Sequence, residues 1–456
     1  MSIITAIDVL DVRFPTSASL DGSDAMNPDP DYSAAYLTIE TDAPVAGADD
    51  GSMPAATVET GHGFVFTIGR GNDVQANAIR VIAERLIGRE VEPLLADMGA
   101  TWREFVHDSQ LRWLGPEKGV SHMAIGAIIN ALWDLKATRA GLPLWELLAR
   151  MSTEEILSLV DFRYLTDFMT REDARTILRR AESGKDARIE RLRECGYAAY
   201  TTTPGWLGYS DEKLTRLCRE ALEAGFGQIK LKVGADRADD IRRLSIAREV
   251  CGPGFPIAVD ANQRWETAEA IDWIGELAQF DLHWVEEPTS PDDVLSHADI
   301  QAAIEPVPVA TGEHCQNRIL FKQFLRADAL RVMQIDASRV AGVNENIANL
   351  LLAEHAGVPV CPHAGGVGLC ELVQHLSMFD SIAVSGELDG RCIEFVDHLH
   401  EHFFDPVDVR NGRYWPTGAP GASARMKPEA LRRFQFPDGP EWSRSVSAPD
   451  ATGPLQ

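Results

Sequence analysis

The sequence predicts an α/β protein in which an α+β unit is followed by a closed parallel barrel. With 456 residues, the chain is long enough for two domains. Its second part contains eight short, β-rich apolar runs, most of them followed by a helical pattern. These runs are "SLVDFRYLT", "FGQIKLKV", "FPIAVDAN", "LHWVEEP", "VPVATGEH", "LRVMQIDAS", "VPVCPHAG" and "SIAVSGE". Eight strands that alternate with helices are typical of a closed parallel barrel.

The part of the chain up to about Lys118 predicts mixed structure. We expect strands at the alternating N-terminus, at "AAYLTIET" and at "GFVFTIG", and a helix from Val74 to Leu95. Between the last two strands, "DAPVAGADDGSMPAATVETGHG" lacks periodicity and predicts a long loop with a mobile centre. The stretch "SHMAIGAIINALWDLKATRAGLPLWELL" then predicts a buried helix and a short second one, separated at Gly141 and Pro143.

Composition limits the classes of partner and compartment. A formal net charge of -26 disfavours nucleic acid and anionic membranes, because both would be repelled over most of the surface. The seven cysteines are odd in number and include no C-x-x-C pair, which indicates reduced thiols in a reducing compartment. The sequence also lacks a run of about eighteen uncharged apolar residues. We therefore expect a cytoplasmic protein that acts on a small molecule.

Three carboxylates follow the predicted strands at nearly constant spacing. Asp260 ends "PIAVD", Glu286 ends "LHWVE" and Glu313 follows "PVATG", at intervals of 26 and 27 residues. In a parallel barrel this spacing places all three at the same end of neighbouring strands. Carboxylates that converge in a buried place repel one another unless a cation is present. Because oxygen ligands without Cys or His suit Mg²⁺, the sequence predicts a magnesium site.

Two lysines lie on the preceding predicted strand, in "FGQIKLKVGAD". Side chains two residues apart share one face of a strand, so Lys230 and Lys232 should point into the same barrel mouth as the metal. Next to a cation and a second lysine, Lys232 should have a lowered pKa and could serve as a base. Lys230, closer to the strand interior, should keep its charge and help to hold an anionic substrate.

The same spacing continues with an acid and a histidine. Asp336 ends "LRVMQID" and His363 lies in "VPVCPHAGG", 27 residues later. A carboxylate and an imidazole on neighbouring strand tips can form a dyad in which the carboxylate fixes the tautomer and raises the basicity of the ring. A lone histidine is more often structural, but here its neighbours favour a catalytic role.

These motifs resemble those of the enolase superfamily, in its mandelate racemase-like branch, and the resemblance spans essentially the whole chain. The sequence has "KLK", "DAN", "EEP", "GE" and "PH" in the family's order and at its strand ends. The resemblance implies a (β/α)7β barrel, 126–400, below an N-terminal α+β capping domain, 1–125. The segment 401–456 would pack back on the capping domain. We also expect a homo-oligomer.

The resemblance implies a role for each matching residue. Asp260, Glu286 and Glu313 would bind Mg²⁺, with Glu287 the less favoured of the "EEP" pair. Lys232 would remove the C2 proton of an acid sugar, and His363, oriented by Asp336, would protonate the departing 3-hydroxyl. Glu394, in "IEFVDHLHE" after the eighth strand, would be a further acidic group at the substrate. The positions expected to contact substrate are Gly22, Ser23, Asp24, Tyr32, Lys230, Asn262, Ala364 and Gly365.

Longer stretches, among them "DPDYSAAY", "YTTTPGWLGYSD" and "CPHAGGVGLCELVQHL", are similar to those of the L-fuconate dehydratases. This similarity implies conversion of L-fuconate to 2-keto-3-deoxy-L-fuconate and water. Three alternatives stay open: a dehydratase of another acid sugar, a racemase that uses both bases, and a catalytically silent binding protein. The assignment of base and acid between Lys232 and His363 is open as well. The loop between "TIET" and "GHGF" is longer than the family's pattern and lies in the domain that should cover the site.

Overall fold

The computed structural model describes residues 2–44, 58–115 and 117–443, so the centre of the long predicted loop lies outside the described residues. The strands are β1 Ile4–Arg13, β2 Ser33–Pro44, β3 Val58–Thr67, β4 Tyr197–Thr201, β5 Ile229–Lys232, β6 Ile257–Asp260, β7 Leu282–Glu286, β8 Val309–Thr311, β9 Val332–Met333, β10 Ile393–Phe395, β11 Asp408–Arg410 and β12 Arg413–Trp415. The helices are α1 Asn72–Ala83, α2 Val91–Ala96, α3 Met98–Val106, α4 Leu111–Leu114, α5 Gly119–Ala140, α6 Leu144–Arg150, α7 Thr153–Leu159, α8 Arg171–Glu182, α9 Lys185–Cys195, α10 Asp211–Glu223, α11 Arg237–Cys251, α12 Thr267–Leu277, α13 Val294–Ala303, α14 Arg318–Arg326, α15 Val343–Ala356, α16 Leu369–Phe379, α17 Pro428–Phe434 and α18 Pro440–Ser443.

The N-terminal part contains a three-stranded antiparallel sheet, β1-β2-β3, covered on one face by α5. Strand β3 and helix α5 approach closely because β3 has glycine at the positions that contact the helix. A Cβ atom on Gly63 would lie 2.3 Å from the carbonyl oxygen of Ala127, and one on Gly61 would lie 2.3 Å from that of Ala131. The all-round apolar α5 is buried over most of its length, as its sequence predicts.

The second part of the chain is a parallel barrel, which confirms the predicted fold class. The strands β4 to β9 lie side by side in chain order, a bridge joins Met333 to Val360, and β10 pairs with β4 to close the ring. In this register Lys232 lies opposite Asp260, and Asp260 lies opposite Glu286. The pairing therefore brings the predicted site residues to one end of the barrel.

Two of the eight predicted strands are wrong. "SLVDFRYLT" begins in α7, which starts at a Ser152 capping box and continues through Leu159. "SIAVSGE" continues the buried helix α16 as a π-helical turn, Asp380–Val384. Short buried apolar runs have the same pattern in a strand and in a covered helix, so periodicity could not separate them. The actual first and eighth strands are β4 and β10.

Other predicted elements differ in their ends. The predicted helix from Val74 to Leu95 is two helices, α1 and α2, with a short 3₁₀ turn and Gly88 between them. The predicted domain boundary at 125/126 falls inside α5, which packs on β3 and whose Asn130 also bonds Ala337 of the barrel. The capping domain and barrel thus share this helix.

The last described residues contact the first strand. Phe436 donates its backbone N–H to Asp11, Gln435 forms a bridge with Val12, and the indole of Trp442 donates to the carbonyl of Arg13. All seven cysteines are free thiols. Within the described ranges, no helix combines the length and apolarity that a bilayer crossing requires.

Candidate active site

A cavity of about 360 Å³ lies between the carboxyl ends of the barrel strands and the capping domain. Its floor and walls are formed by two groups of residues. The barrel contributes Trp206, Lys232, Asn262, Glu313, His314, Arg339, His363, Gly365 and Glu394; the N-terminal part and the start of α5 contribute Gly22, Asp24, Asn27, Pro30, Tyr32, Phe66, Thr67, Ile68, Arg70, Gly71, Gln75, Val120 and Met123. This end of a parallel barrel is where such folds place their chemistry.

The three predicted metal ligands converge below the cavity. Asp260, Glu286 and Glu313 each offer an oxygen within 4.8 Å of the others, and all three residues are buried. Burial raises the pKa of Glu286, and the neighbouring Asp260 carboxylate raises it further. One buried oxygen of Glu313 has no hydrogen-bond partner among the described residues. Three oxygen donors that repel one another in a buried place fit a hard dication such as Mg²⁺.

Both lysines point to these carboxylates. Lys230 is completely buried, and its Nζ lies 2.5 Å from Glu286, 3.0 Å from Glu394 and 3.5 Å from Asp260. Burial lowers the pKa of Lys230, but these carboxylates outweigh that effect and raise it well above its usual value. Lys230 does not line the cavity, so its expected direct contact with substrate stays a prediction, whereas its role in balancing buried negative charge is visible.

Lys232 reaches the cavity from β5. Its Nζ donates to Asp260 over 2.5 Å. Burial lowers the pKa of Lys232, yet the carboxylates of Asp260, Asp24 and Glu313 together more than offset this, and the net direction is upward. The predicted lowering of this pKa is therefore absent in the protein alone, because Asp260 is paired with the ammonium group. The expected lowering of the Lys232 pKa assumed a Mg²⁺ ion beside this lysine.

His363 and Asp336 form the predicted pair. Nδ1 of His363 lies 2.8 Å from an Asp336 oxygen, and Nε2 lies 3.6 Å from Glu313. The backbone N–H groups of Ser338 and Arg339 donate to the other Asp336 oxygen, which fixes the carboxylate. Burial lowers the pKa of His363, but Glu313 and the Asp336 hydrogen bond raise it to about 10. The imidazole is thus held in its charged form, suited to donate a proton.

Glu394 lies within β10 itself, whereas the sequence placed it after the eighth strand. Its carboxylate accepts hydrogen bonds from the Thr202 hydroxyl and from the N–H of Ala364. Burial raises its pKa, but Lys230, His363 and Lys232 together lower it more, and the net direction is downward. Glu394 is therefore an anion at the cavity wall, opposite the capping domain.

Most of the expected substrate-contact residues face this cavity. Gly22, Asp24, Tyr32, Asn262 and Gly365 line it. Burial and the charges of Glu394 and Asp24 raise the pKa of Tyr32 well above its usual value, so its hydroxyl is a neutral donor.

Besides Lys230, two of the expected contact residues do not line the cavity. The Ser23 hydroxyl lies 2.6 Å from the carbonyl of Leu207. The N–H of Ala364 donates to Glu394. Their roles as substrate contacts stay predictions; the structure shows Ser23 bonded to the loop at Leu207 and Ala364 bonded to Glu394 in β10.

Sequence reasoning missed several residues at the cavity. Nδ1 of His314 donates to Glu287 over 2.8 Å, and the Gln263 amide donates to the other Glu287 oxygen over 2.9 Å. This pairing turns Glu287 toward His314, while Glu286 joins Asp260. Arg339 is fixed by a bond from its Nε to the carbonyl of Glu313. Glu287 lies in "EEP", Gln263 in "DANQRW" and His314 in "GEH". The contacts between these residues depend on how the loops fold, which strand spacing does not predict.

Known protein families match this architecture along the chain. Residues 213–430 match the model described as enolase C-terminal domain-like, and residues 35–149 match the N-terminal domain of mandelate racemase and muconate lactonizing enzymes. The barrel, the cap and the strand-end carboxylates agree with these matches. The chain belongs to the enolase superfamily, as a mandelate racemase-like member.

Individual relatives narrow the class of chemistry. The crystal structure of human mitochondrial enolase superfamily member 1 superimposes with a TM-score of 0.93 at 48% identity, over 98% of this chain and 99% of that one. L-galactonate dehydratase of Hypocrea jecorina is 49% identical over 439 residues, 95% of this chain and 94% of the relative. L-talarate/galactarate dehydratase of Salmonella typhimurium, crystallised with Mg and L-lyxarohydroxamate, matches with a TM-score of 0.72 at 25% identity, covering 95% and 93%. The protein is thus an acid sugar dehydratase or racemase type of enzyme, and its metal is Mg²⁺.

Proposed function

We propose that this protein is a Mg²⁺-dependent hydro-lyase that converts L-fuconate to 2-keto-3-deoxy-L-fuconate and water. The observation that carries the proposal is the pairing of Lys232 and the His363–Asp336 dyad on two flanks of the three carboxylates, all at one cavity. A dehydration needs a base at C2 and an acid at the 3-hydroxyl, and this cavity has one group for each.

The side chains divide the reaction between them. Lys232 removes the C2 proton, and the metal supplies positive charge where the substrate carboxylate gains electron density. His363, held charged by Glu313 and Asp336, donates a proton to the departing 3-hydroxyl. Glu394, anionic and fixed by Thr202, accepts hydrogen bonds from substrate hydroxyls on that side. The resulting enol takes up a proton at C3 from His363, after the imidazole has regained a proton from solvent, and loses its enol proton to give the 2-keto-3-deoxy acid.

The choice of substrate is supported by stereochemistry. L-Fuconate is 6-deoxy-L-galactonate, so the two acids share their configuration from C2 to C5 and differ in one hydroxyl at C6. The Hypocrea relative at 49% identity is named for L-galactonate. We therefore expect L-galactonate to be the second substrate. A neutral end group is consistent with the cavity lining, because Arg70, one of its cations, is 89% exposed and pairs with Asp29.

A substrate panel tests this proposal. The purified protein with Mg²⁺ should form 2-keto acid from L-fuconate, and more slowly from L-galactonate, whereas galactarate and L-talarate should react poorly. A Lys232→Ala variant serves as the inactive control. Rapid turnover of another acid sugar with none of L-fuconate would refute the substrate, and no 2-keto acid from any sugar would refute the reaction.

Racemisation is the second candidate reaction, because Lys232 and His363 on the two sides of C2 could act as its two bases. The same incubation in deuterated water separates the two. Deuterium at C2 of an epimeric acid, with the 3-hydroxyl retained, would identify a racemase.

A further inference from the structure

Trp206 is a cavity-lining residue to which neither the strand spacing nor the reaction above gives a role. It follows a 3₁₀ turn, Thr203–Gly205, after the first barrel strand, and it is 2% exposed. Its ring lies 5.4 Å from the Nζ of Lys232. A tryptophan face at this distance attracts an ammonium group and shields it from water.

The backbone around Trp206 is held by hydrogen bonds from one buried side chain. Arg243, fully buried on α11, donates to the carbonyls of Gly205 at 2.7 Å, Trp206 at 3.0 Å and Lys232 at 2.5 Å. One guanidinium therefore ties the tryptophan and the lysine to each other. Gly205 permits this approach, since a Cβ atom there would lie 2.0 Å from the carbonyl of Lys230.

The capping domain holds the same loop from the other side. Leu207 donates its N–H to the carbonyl of Ser23 over 3.1 Å and accepts from the Ser23 hydroxyl over 2.6 Å. The Tyr209 hydroxyl donates to Asp21. Trp206 thus lies where the substrate-facing capping loop meets the strand that carries the base.

The indole has an open donor. Among the described residues, Trp206 Nε1 has no hydrogen-bond partner, although Trp102, Trp133 and Trp145 each donate to an oxygen. An acid sugar in the cavity would offer hydroxyl oxygens to this N–H and C–H groups to the ring face.

We propose that Trp206 is a substrate-contacting residue that also positions Lys232. Its ring holds the lysine side chain over the C2 side of the substrate, and its N–H donates to a hydroxyl of the acid sugar. This inference rests on the proposed function, and it adds a specificity-determining residue to it.

Two substitutions separate the contribution of the indole N–H from that of the aromatic face. Trp206→Phe keeps an aromatic face and removes the N–H, so we expect KM for L-fuconate to rise about fivefold, as for one lost hydrogen bond, while kcat stays within about twofold. Trp206→Leu removes the face as well, so kcat should also fall at least about tenfold. Trp265→Phe is the matched control, because Trp265 is equally buried but does not line the cavity.

The measurements are kcat and KM with L-fuconate and L-galactonate, and the unfolding temperature of each variant with Mg²⁺. Calorimetric titration of L-fuconate into the inactive His363→Asn protein, with and without Trp206→Phe, checks the lost contact without turnover. Unchanged KM and affinity in Trp206→Phe, or equal kcat in the Phe and Leu variants, would overturn the inference alone. If the unmodified protein neither binds nor converts these sugars, both the proposed function and this inference fail.

Discussion

Lys232 and His363 face one cavity, and each is hydrogen-bonded to a carboxylate, Asp260 or Asp336. The sequence predicted these four residues because they fall at strand tips with nearly equal spacing. The sequence could not predict that the Lys232 ammonium donates a hydrogen bond to Asp260 in the protein alone, because this depends on the distance between side chains of neighbouring strands.

The roles of base and acid can be separated by isotope exchange. In a His363→Asn variant, C2 of L-fuconate should exchange with deuterated water while dehydration falls by about 10²- to 10⁴-fold, because the acid is lost and the base remains. Lys232→Ala should lose both. The measurement is proton NMR of the recovered substrate. Loss of exchange in His363→Asn together with its retention in Lys232→Ala would reverse the assignment.

The metal ligands can be tested by stability. Mg²⁺ at a hundredfold excess over its Kd should stabilise the native state by about 2.7 kcal/mol. Glu286→Gln should abolish most of this increase, whereas Glu287→Gln should keep it, because Glu287 is paired with His314. Thermal unfolding with Mg²⁺ and with a chelator gives both values. The opposite order of the two variants would move the ligand from Glu286 to Glu287.

At the scale of elements, β3 and α5 touch through glycine. Gly63→Ala would place a Cβ atom 2.3 Å from the Ala127 carbonyl, and we expect it to lower the free energy of unfolding by about 2 kcal/mol or more. Gly275→Ala is the matched control: it lies in α12 with nothing within 4 Å and should stabilise by about 0.5–1 kcal/mol. Chemical denaturation measures both. Equal effects would show that β3 can move away from α5.

The turn His400–His402 is attached to α16 by an ion pair, His400–Glu371, at 2.7 Å. Burial lowers the pKa of His400, but the charge and hydrogen bond of Glu371, the Val396 carbonyl and the Glu401 charge together outweigh burial and raise the pKa to about 9. The pKa is higher in the folded state than in the unfolded one, so this stabilisation is complete below about pH 6.5 and is lost as the pH rises through about 9.

We therefore expect His400→Gln to cost on the order of 2 kcal/mol at pH 6.5 and much less above pH 9. Glu371→Gln should show the same trend, since it removes the other half of the pair. The measurement is the denaturation free energy across that range. A cost that does not change with pH would mean that the pair does not remain charged.

Elements with a clear spacing were predictable, and elements with a context-dependent conformation were not. Strands β5 to β8 are followed by helices at a regular interval, so their tips could be placed from the sequence. The run at 381–387 is equally apolar, yet it continues a helix because α16 is buried on every side. Trp206 and His314 escaped prediction for a related reason: their neighbours come from other loops.

The whole molecule is joined across its domains by a buried guanidinium. Arg318, at the start of α14, pairs with Glu117 before α5, with Asp161 after α7 at 3.0 Å, and with Glu345 in α15 at 3.4 Å. Burial raises the pKa of Glu345, but His122 and Arg318 lower it to about 2. The pKa of Glu117 is also lowered and that of Arg318 is raised, so Glu345, Glu117 and Arg318 remain charged.

Arg318→Met should destabilise the protein by about 3–5 kcal/mol, because it leaves buried carboxylates without their cation. Arg326→Met is the control: its pair with Asp167 is 47% and 50% exposed and should contribute less than about 1 kcal/mol. Thermal and chemical unfolding should rank the two variants in this order. Similar costs would mean that water reaches the Arg318 cluster.

The hydrogen bond from Phe436 to Asp11 and the bridge between Gln435 and Val12 have a consequence for biosynthesis. In chain order β1 precedes the barrel, whereas Gln435 and Phe436, which cover it, follow the whole barrel. The backbone of β1 at Asp11 and Val12 therefore gains these partners only after the barrel strands have been synthesised. A nascent chain stalled before this point would expose the apolar edge of β1, and it would be a natural substrate for chaperones.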